Sequence, residues 1–115
     1  MCESEKVCVI HMRSVVTLLK ARKSRRCIVC GSEIPVGNYY VSVYSRGYRG
    51  GLIVMKFHHY CLKCATKYID LMLAHKVRRL ILEVENGEIH KVIPDTRYKL
   101  GDSLRRLLQK YASSR

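Results

Sequence analysis

The cysteines of this 115-residue chain are the residues whose chemistry depends most on spacing. Cys27 and Cys30 stand two residues apart in CIVCG and are followed at once by Gly31. That spacing lets both thiolates reach one ion from a tight turn whose backbone needs a glycine just after the second ligand. Cys61 and Cys64 repeat it at the predicted start of a helix, where the helix dipole favours thiolates. Two such pairs separated by a predicted hairpin point to a tetrahedral site for one Zn²⁺ per chain. Four soft ligands leave no open position, so the ion is structural rather than catalytic. His58, Cys61 and Cys64 are each three apart, so His58 with Cys61 is an alternative to the preferred Cys61 with Cys64. Cys2 and Cys8 belong to neither pair and read as small core residues.

Several elements must position these ligands. Val7 and Val9 alternate with Cys8 and Ile10 in a strand-like run. Ser14 precedes VVTLLKAR, where Val15, Leu18, Leu19 and Arg22 have helical spacing and predict an N-terminal helix. KARKSRR, Lys20 to Arg26, then reads as a helix end and basic linker running into Cys27. YYVSVY (39–44) and LIVMKF (52–57) predict two strands joined by a glycine-rich loop. Leu62, Ala65, Ile69, Met72 and Leu73 predict a helix from near Cys61 to about Lys76. LILEVENGEIHKVI gives a second hairpin turning at Asn86-Gly87, a pair suited to the positive φ of a type I′ turn. Asp102 or Ser103 is the expected N-cap of a closing helix, SLRRLLQKYA. The expected fold class is α+β, with a small zinc-stabilised core of knuckle, hairpin and helix, an added β-hairpin and terminal helices. Residues 1–26 form a terminal strand, helix and basic linker, 27–78 the finger and 79–115 the second hairpin and helix, all in one unit.

The order of knuckle, hairpin and ligand-bearing helix over about Arg26 to Lys76 resembles a treble-clef zinc finger, and CIVCGSEIPVG is similar to the first knuckle of many such fingers. With His58 as a ligand, C-x2-C plus H-x2-C resembles the finger of poly(ADP-ribose) polymerases, whose treble clefs bind DNA ends. That family's tryptophan-bearing strand has no counterpart in a chain without Trp, so recognition of DNA breaks does not carry over. Treble clefs serve many functions, and the resemblance by itself assigns none.

Charge narrows the partner. Twenty-two Lys and Arg against nine Asp and Glu give a formal charge of +13, and residues 13–81 contribute +12 of it. So strong a positive field seeks polyanions. Anionic membrane is not expected, because no amphipathic helix with bulky apolar anchors accompanies the charge. The residues expected to bind nucleic acid are Lys20, Arg22, Lys23, Arg25 and Arg26 beside the knuckle, with Arg46, Tyr48 and Arg49 on the hairpin. Phosphate contacts would dominate, and Tyr48 could stack on an unpaired base. RNA in a ribonucleoprotein such as a ribosome and DNA bound by a small transcription regulator both fit. A protein–protein adaptor using the finger and the C-terminal helix is the alternative.

Catalysis is not expected. His58-His59 invites comparison with His-Asn-His nucleases, but no Asn or His in the following helix completes a metal site, and His75 falls too late. A redox CxxC pair wants a thioredoxin-like βαβ context, which is missing. MCESEKVCVIHM lacks the basic start and long apolar middle of a secretory signal. The expected compartment is therefore the reducing cytoplasm, where thiols stay free or bind metal.

Overall fold

A computed structural model describes residues 11–112, apart from the side chain of Arg49. The expectations for Val7–Ile10, Cys2 and Cys8 fall outside the described residues. Strand β1, His11–Lys20, occupies the segment expected to be helical. Ser14, Val16 and Leu18 are buried while their neighbours are less so, which is a period of two rather than 3.6. The apolar residues at 15, 16, 18 and 19 fit both periods. The β-branched run Val15-Val16-Thr17 favours the strand, and pairing on both sides decides the matter. The expected N-terminal helix is thus replaced by the central strand of a sheet.

After β1 come the two-residue strands β2 (Arg25–Arg26) and β3 (Glu33–Ile34), then β4 (Tyr39–Arg49), β5 (Leu52–Tyr60), helix α1 (Thr66–His75), β6 (Arg79–Glu85), β7 (Glu88–Pro94) and helix α2 (Asp102–Gln109). The large sheet has the order β5-β4-β1-β6-β7 with every neighbour antiparallel. This is a small α+β protein, mostly strands with two helices. Among the described residues no helix is long and apolar enough to cross a membrane. The expected glycine-rich loop at 45–51 shrinks to a two-residue turn, Gly50-Gly51, with φ of 56° and 83°. Asn86 and Gly87, at φ 53° and 86°, turn the second hairpin as its sequence predicts. Helix α2 is present, but its N-cap is Gly101 rather than Asp102 or Ser103.

Gly47 lies inside β4, facing Met12 of β1. A Cβ there would collide with the His11 carbonyl oxygen and stand 2.9 Å from Met12 Cα. This glycine serves close approach between strands. Gly47→Ala should cost about 1–3 kcal/mol, read as a drop in thermal midpoint, since two backbones must separate to admit the methyl group.

The helices cover one face of the sheet. Val16, Leu18, Val41, Val43, Leu80 and Leu82 meet Tyr68, Ile69, Met72 and Leu108 in the main core. A second, smaller cluster of Ala21, Cys27, Ile34 and Tyr40 packs against Cys61 and Cys64. The corner after β7 is pinned by Asp95, which is 8% exposed. Arg97 donates to it through Nε and Nη2, both at 3.0 Å, and the backbone N–H of Asp95 donates to the Arg79 carbonyl. The Arg97 guanidinium holds the Asp95 carboxyl below its ordinary value of 3.8. A depressed carboxylate stabilises the fold above its unfolded value, and that contribution is lost as pH falls through the folded value. Urea titrations should therefore show stability falling below about pH 4, with a shallower acid limb in Asp95→Asn.

Candidate metal centre and basic surfaces

Cys27 and Cys30 are carried on the turn between β2 and β3. The Cys27 N–H donates to the Ser32 carbonyl and the Gly31 N–H to the Cys27 carbonyl, both at 3.0 Å. Gly31 adopts φ 73° with open space where a Cβ would be, so its role is conformational. The Ile28 N–H donates to the His59 carbonyl at 2.8 Å and ties this turn to the outer edge of β5. Cys61 and Cys64 occupy a second tight turn, closed by the Cys64 N–H on the Cys61 carbonyl at 3.0 Å. Helix α1 starts only at Thr66, so these cysteines precede the helix rather than open it.

The sulfurs of Cys27, Cys30, Cys61 and Cys64 lie within 4.8 Å of one another, positioned to hold a metal ion. Cys30 and Cys61 approach to 3.7 Å, Sγ to Sγ. A tetrahedron with Zn–S bonds of about 2.3 Å has edges of about 3.8 Å, so the spacing matches the chemistry of the donors. Burial opposes ionisation of Cys27, but backbone N–H groups of Cys30, Cys61 and Val29 outweigh it and lower its thiol to about 6. Burial and the neighbouring cysteines push Cys64 up to about 12. Hydrogen bonds from Ser32 lower Cys30 as well, while burial raises Cys61. Ionisation is thus favoured at the first pair and resisted at the second; a divalent cation at the centre removes that resistance.

His58 is not in the cluster. It pairs with Val43 on the helix-covered face and sits edge-on to Tyr60 at 6.2 Å. His59 points the other way, edge-on to Tyr40 at 5.3 Å. Burial, then the charge of Arg25, then His58 hold its imidazole below the ordinary value.

The residues expected to bind nucleic acid are not brought together in one place. Lys20, Arg22, Lys23 and Arg26 are exposed around the cysteine lobe. Arg25 is half-buried over the Tyr40 ring, its Nε lacking a hydrogen-bond partner. The stretch 20–26 is the end of β1, a bend and β2, not a helix end and linker. Arg46 and the exposed Tyr48 pair with Arg13 and His11 at the far end of β1. Seven strand residues separate Arg13 from Lys20, about 23 Å at ~3.3 Å each. The side chain of Arg49 lies outside the described residues.

No known family model, curated protein or solved structure matches this chain. The site therefore has to be read from its own residues. Sequence reasoning missed Tyr44, Met55 and Phe57, which gather on the sheet face away from the helices. The Tyr44 and Phe57 rings lie 4.6 Å apart and Tyr44 donates its hydroxyl to the Met55 sulfur at 3.4 Å. A signal for this pair was present: a two-residue turn at Gly50-Gly51 sets Tyr44 opposite Phe57.

Proposed function

We propose that this is a zinc-stabilised, non-catalytic nucleic-acid-binding protein. Cys27, Cys30, Cys61 and Cys64 hold one structural Zn²⁺ in a treble-clef arrangement: a knuckle, the β4–β5 hairpin, then the second ligand pair just before α1. In this reading the metal fixes the lobe and its cations, and takes part in no reaction. The reducing cytoplasm is the compartment that suits this reading, because thiols there stay free to bind metal.

The observation that carries this reading is a group of exposed cations with no ion pair. Lys20, Arg22, Lys23 and Arg26 surround the lobe and none forms a salt bridge with a carboxylate among the described residues, whereas Arg13, Arg97 and Arg105 each do. Uncompensated guanidinium and ammonium groups on a chain of charge +13 match a phosphate backbone. Protein purified at low salt should carry nucleic acid, seen as absorbance at 260 nm that nuclease removes. Separate treatment with ribonuclease and deoxyribonuclease then assigns the polymer to a ribonucleoprotein or to a transcription complex. Protein that is free of nucleic acid at every salt concentration and binds no added RNA or DNA overturns the reading.

The adaptor alternative draws on the exposed apolar residues of β5, Leu52, Ile53, Met55 and Phe57. It gains little from α2, because Leu108 is fully buried and Leu104, Leu107 and Tyr111 pack on the main core.

A further inference from the structure

The two faces of the large sheet differ in what covers them. Alternation along β4 sends Val41 and Val43 toward the helices and Tyr44, Arg46 and Tyr48 to the opposite side. The register with β5 brings Ile53, Met55 and Phe57 to that same side. Among the described residues, the cysteine lobe caps this second face at Tyr40. Farther along, Phe57 is 67% exposed, Tyr48 60%, Met55 58% and Ile53 56%. Monomeric proteins rarely leave aromatic and aliphatic side chains of neighbouring strands uncovered together.

We infer that single-stranded nucleic acid binds across this uncovered face, its bases stacking on the Tyr44 and Phe57 rings and one base entering the cavity beside them. The inference rests on the nucleic-acid reading above and names the form of the polymer. Two neighbouring rings, one from β4 and one from β5, edged by arginine are what an unpaired base and its phosphate require. The cavity, of about 610 Å³, is lined by Val15 and Tyr44 together with Arg13, Arg46, Glu83 and Glu85. Its guanidiniums can donate to base carbonyls and phosphates, and its carboxylates can accept from exocyclic amines. Arg46 forms no ion pair among the described residues, while Glu83 is engaged by Arg13 and Glu85 by His11 and His90. The β4–β5 side is thus the electropositive one, and the acidic β6 side bounds the track. Duplex bases are stacked on one another and cannot use the rings. A second copy of the chain docked through this face would set the hairpin's Arg46 against its own kind.

Binding of a labelled short oligouridylate and of a duplex of equal length, with wild type and with Phe57→Ala, Phe57→Leu and Phe57→Tyr, tests the inference. Phe57 is exposed, so these changes leave the core intact. Phe57→Ala and Phe57→Leu should weaken single-strand binding by about 5- to 150-fold with an unchanged salt slope, while Phe57→Tyr retains it and duplex affinity stays put. Photocrosslinking with a 5-iodouridine oligomer should mark peptides containing Tyr44, Tyr48 or Phe57. Equal affinity of all variants for the single strand, or crosslinks confined to residues 20–26, overturns the inference and leaves nucleic-acid binding standing. Failure of wild type to bind either polymer overturns both. A dimer that forms without oligonucleotide and dissociates in Phe57→Ala assigns the face to a second copy and also overturns it.

Discussion

Chelation of the metal should melt the cysteine lobe outright. Structural zinc contributes about 10–16 kcal/mol, as much as or more than the ~5–15 kcal/mol by which whole domains are stable. Little else holds residues 21–38 in place. Their burial rests on Ala21, Cys27 and Ile34 against Tyr40, and their longest strands have two residues. The main core is separate and lies between the sheet and the helices. Hydrogen exchange after metal removal should show residues 22–38 exchanging freely while amides of β1 and β6 stay protected for longer. Cys27→Ser, which puts a hydroxyl in place of a buried thiolate ligand, should reproduce this pattern in zinc-containing buffer. A metal-free protein with a fully protected 22–38 segment would show that the four cysteines are ordinary packing residues.

The second large effect is on affinity. If roughly four to seven phosphates are neutralised, log K against log salt should fall with a slope of about −4 to −6 on a duplex. Raising salt from 50 to 200 mM then weakens binding by about 250- to 4,000-fold. Arg22 and Lys23 are the cations to remove, because both are exposed and neither forms an ion pair among the described residues. Arg25 and Arg26 are less clean, since Arg25 packs over Tyr40 and Arg26 donates to the Gly31 carbonyl at 2.9 Å. The Arg22→Ala, Lys23→Ala double variant should flatten the slope by about two and weaken all polymers alike. A slope near zero would favour the adaptor reading.

The cysteine cluster was legible in the sequence because thiolate chemistry demands a spacing that survives any surrounding fold. The choice between His58 and Cys64 was not legible, since both stand three residues from Cys61 and only strand direction separates them. His58 points under the helices, a fact of register with Val43 rather than of local pattern. The segment 14–20 misled for a related reason: apolar residues at 15, 16, 18 and 19 satisfy either period, and the deciding strands β4 and β6 come later in the chain. Gly47 looked like part of a loop because three glycines fall within five residues, yet the two at the turn and the one inside β4 serve different needs. The uncovered sheet face could not be seen before strand order was known, because the face's aromatic residues come from neighbouring strands and its cavity also draws on β1 and β6.

The position of β1 governs how the chain can acquire its shape. It precedes both of its neighbours in the order of synthesis, and its second partner is complete only at Glu85. At about 5–20 residues per second, the interval between making Lys20 and making Glu85 is roughly 3–13 s. Throughout that time Val16 and Leu18, later without contact with water, have no second neighbouring strand. The β4–β5 hairpin and the cysteine turns are complete sooner, so ion capture can precede closure of the sheet. The nascent protein can gain its local anchor before β1 gains its second neighbour, and until then β1 presents an open edge to a chaperone or to the wrong strand.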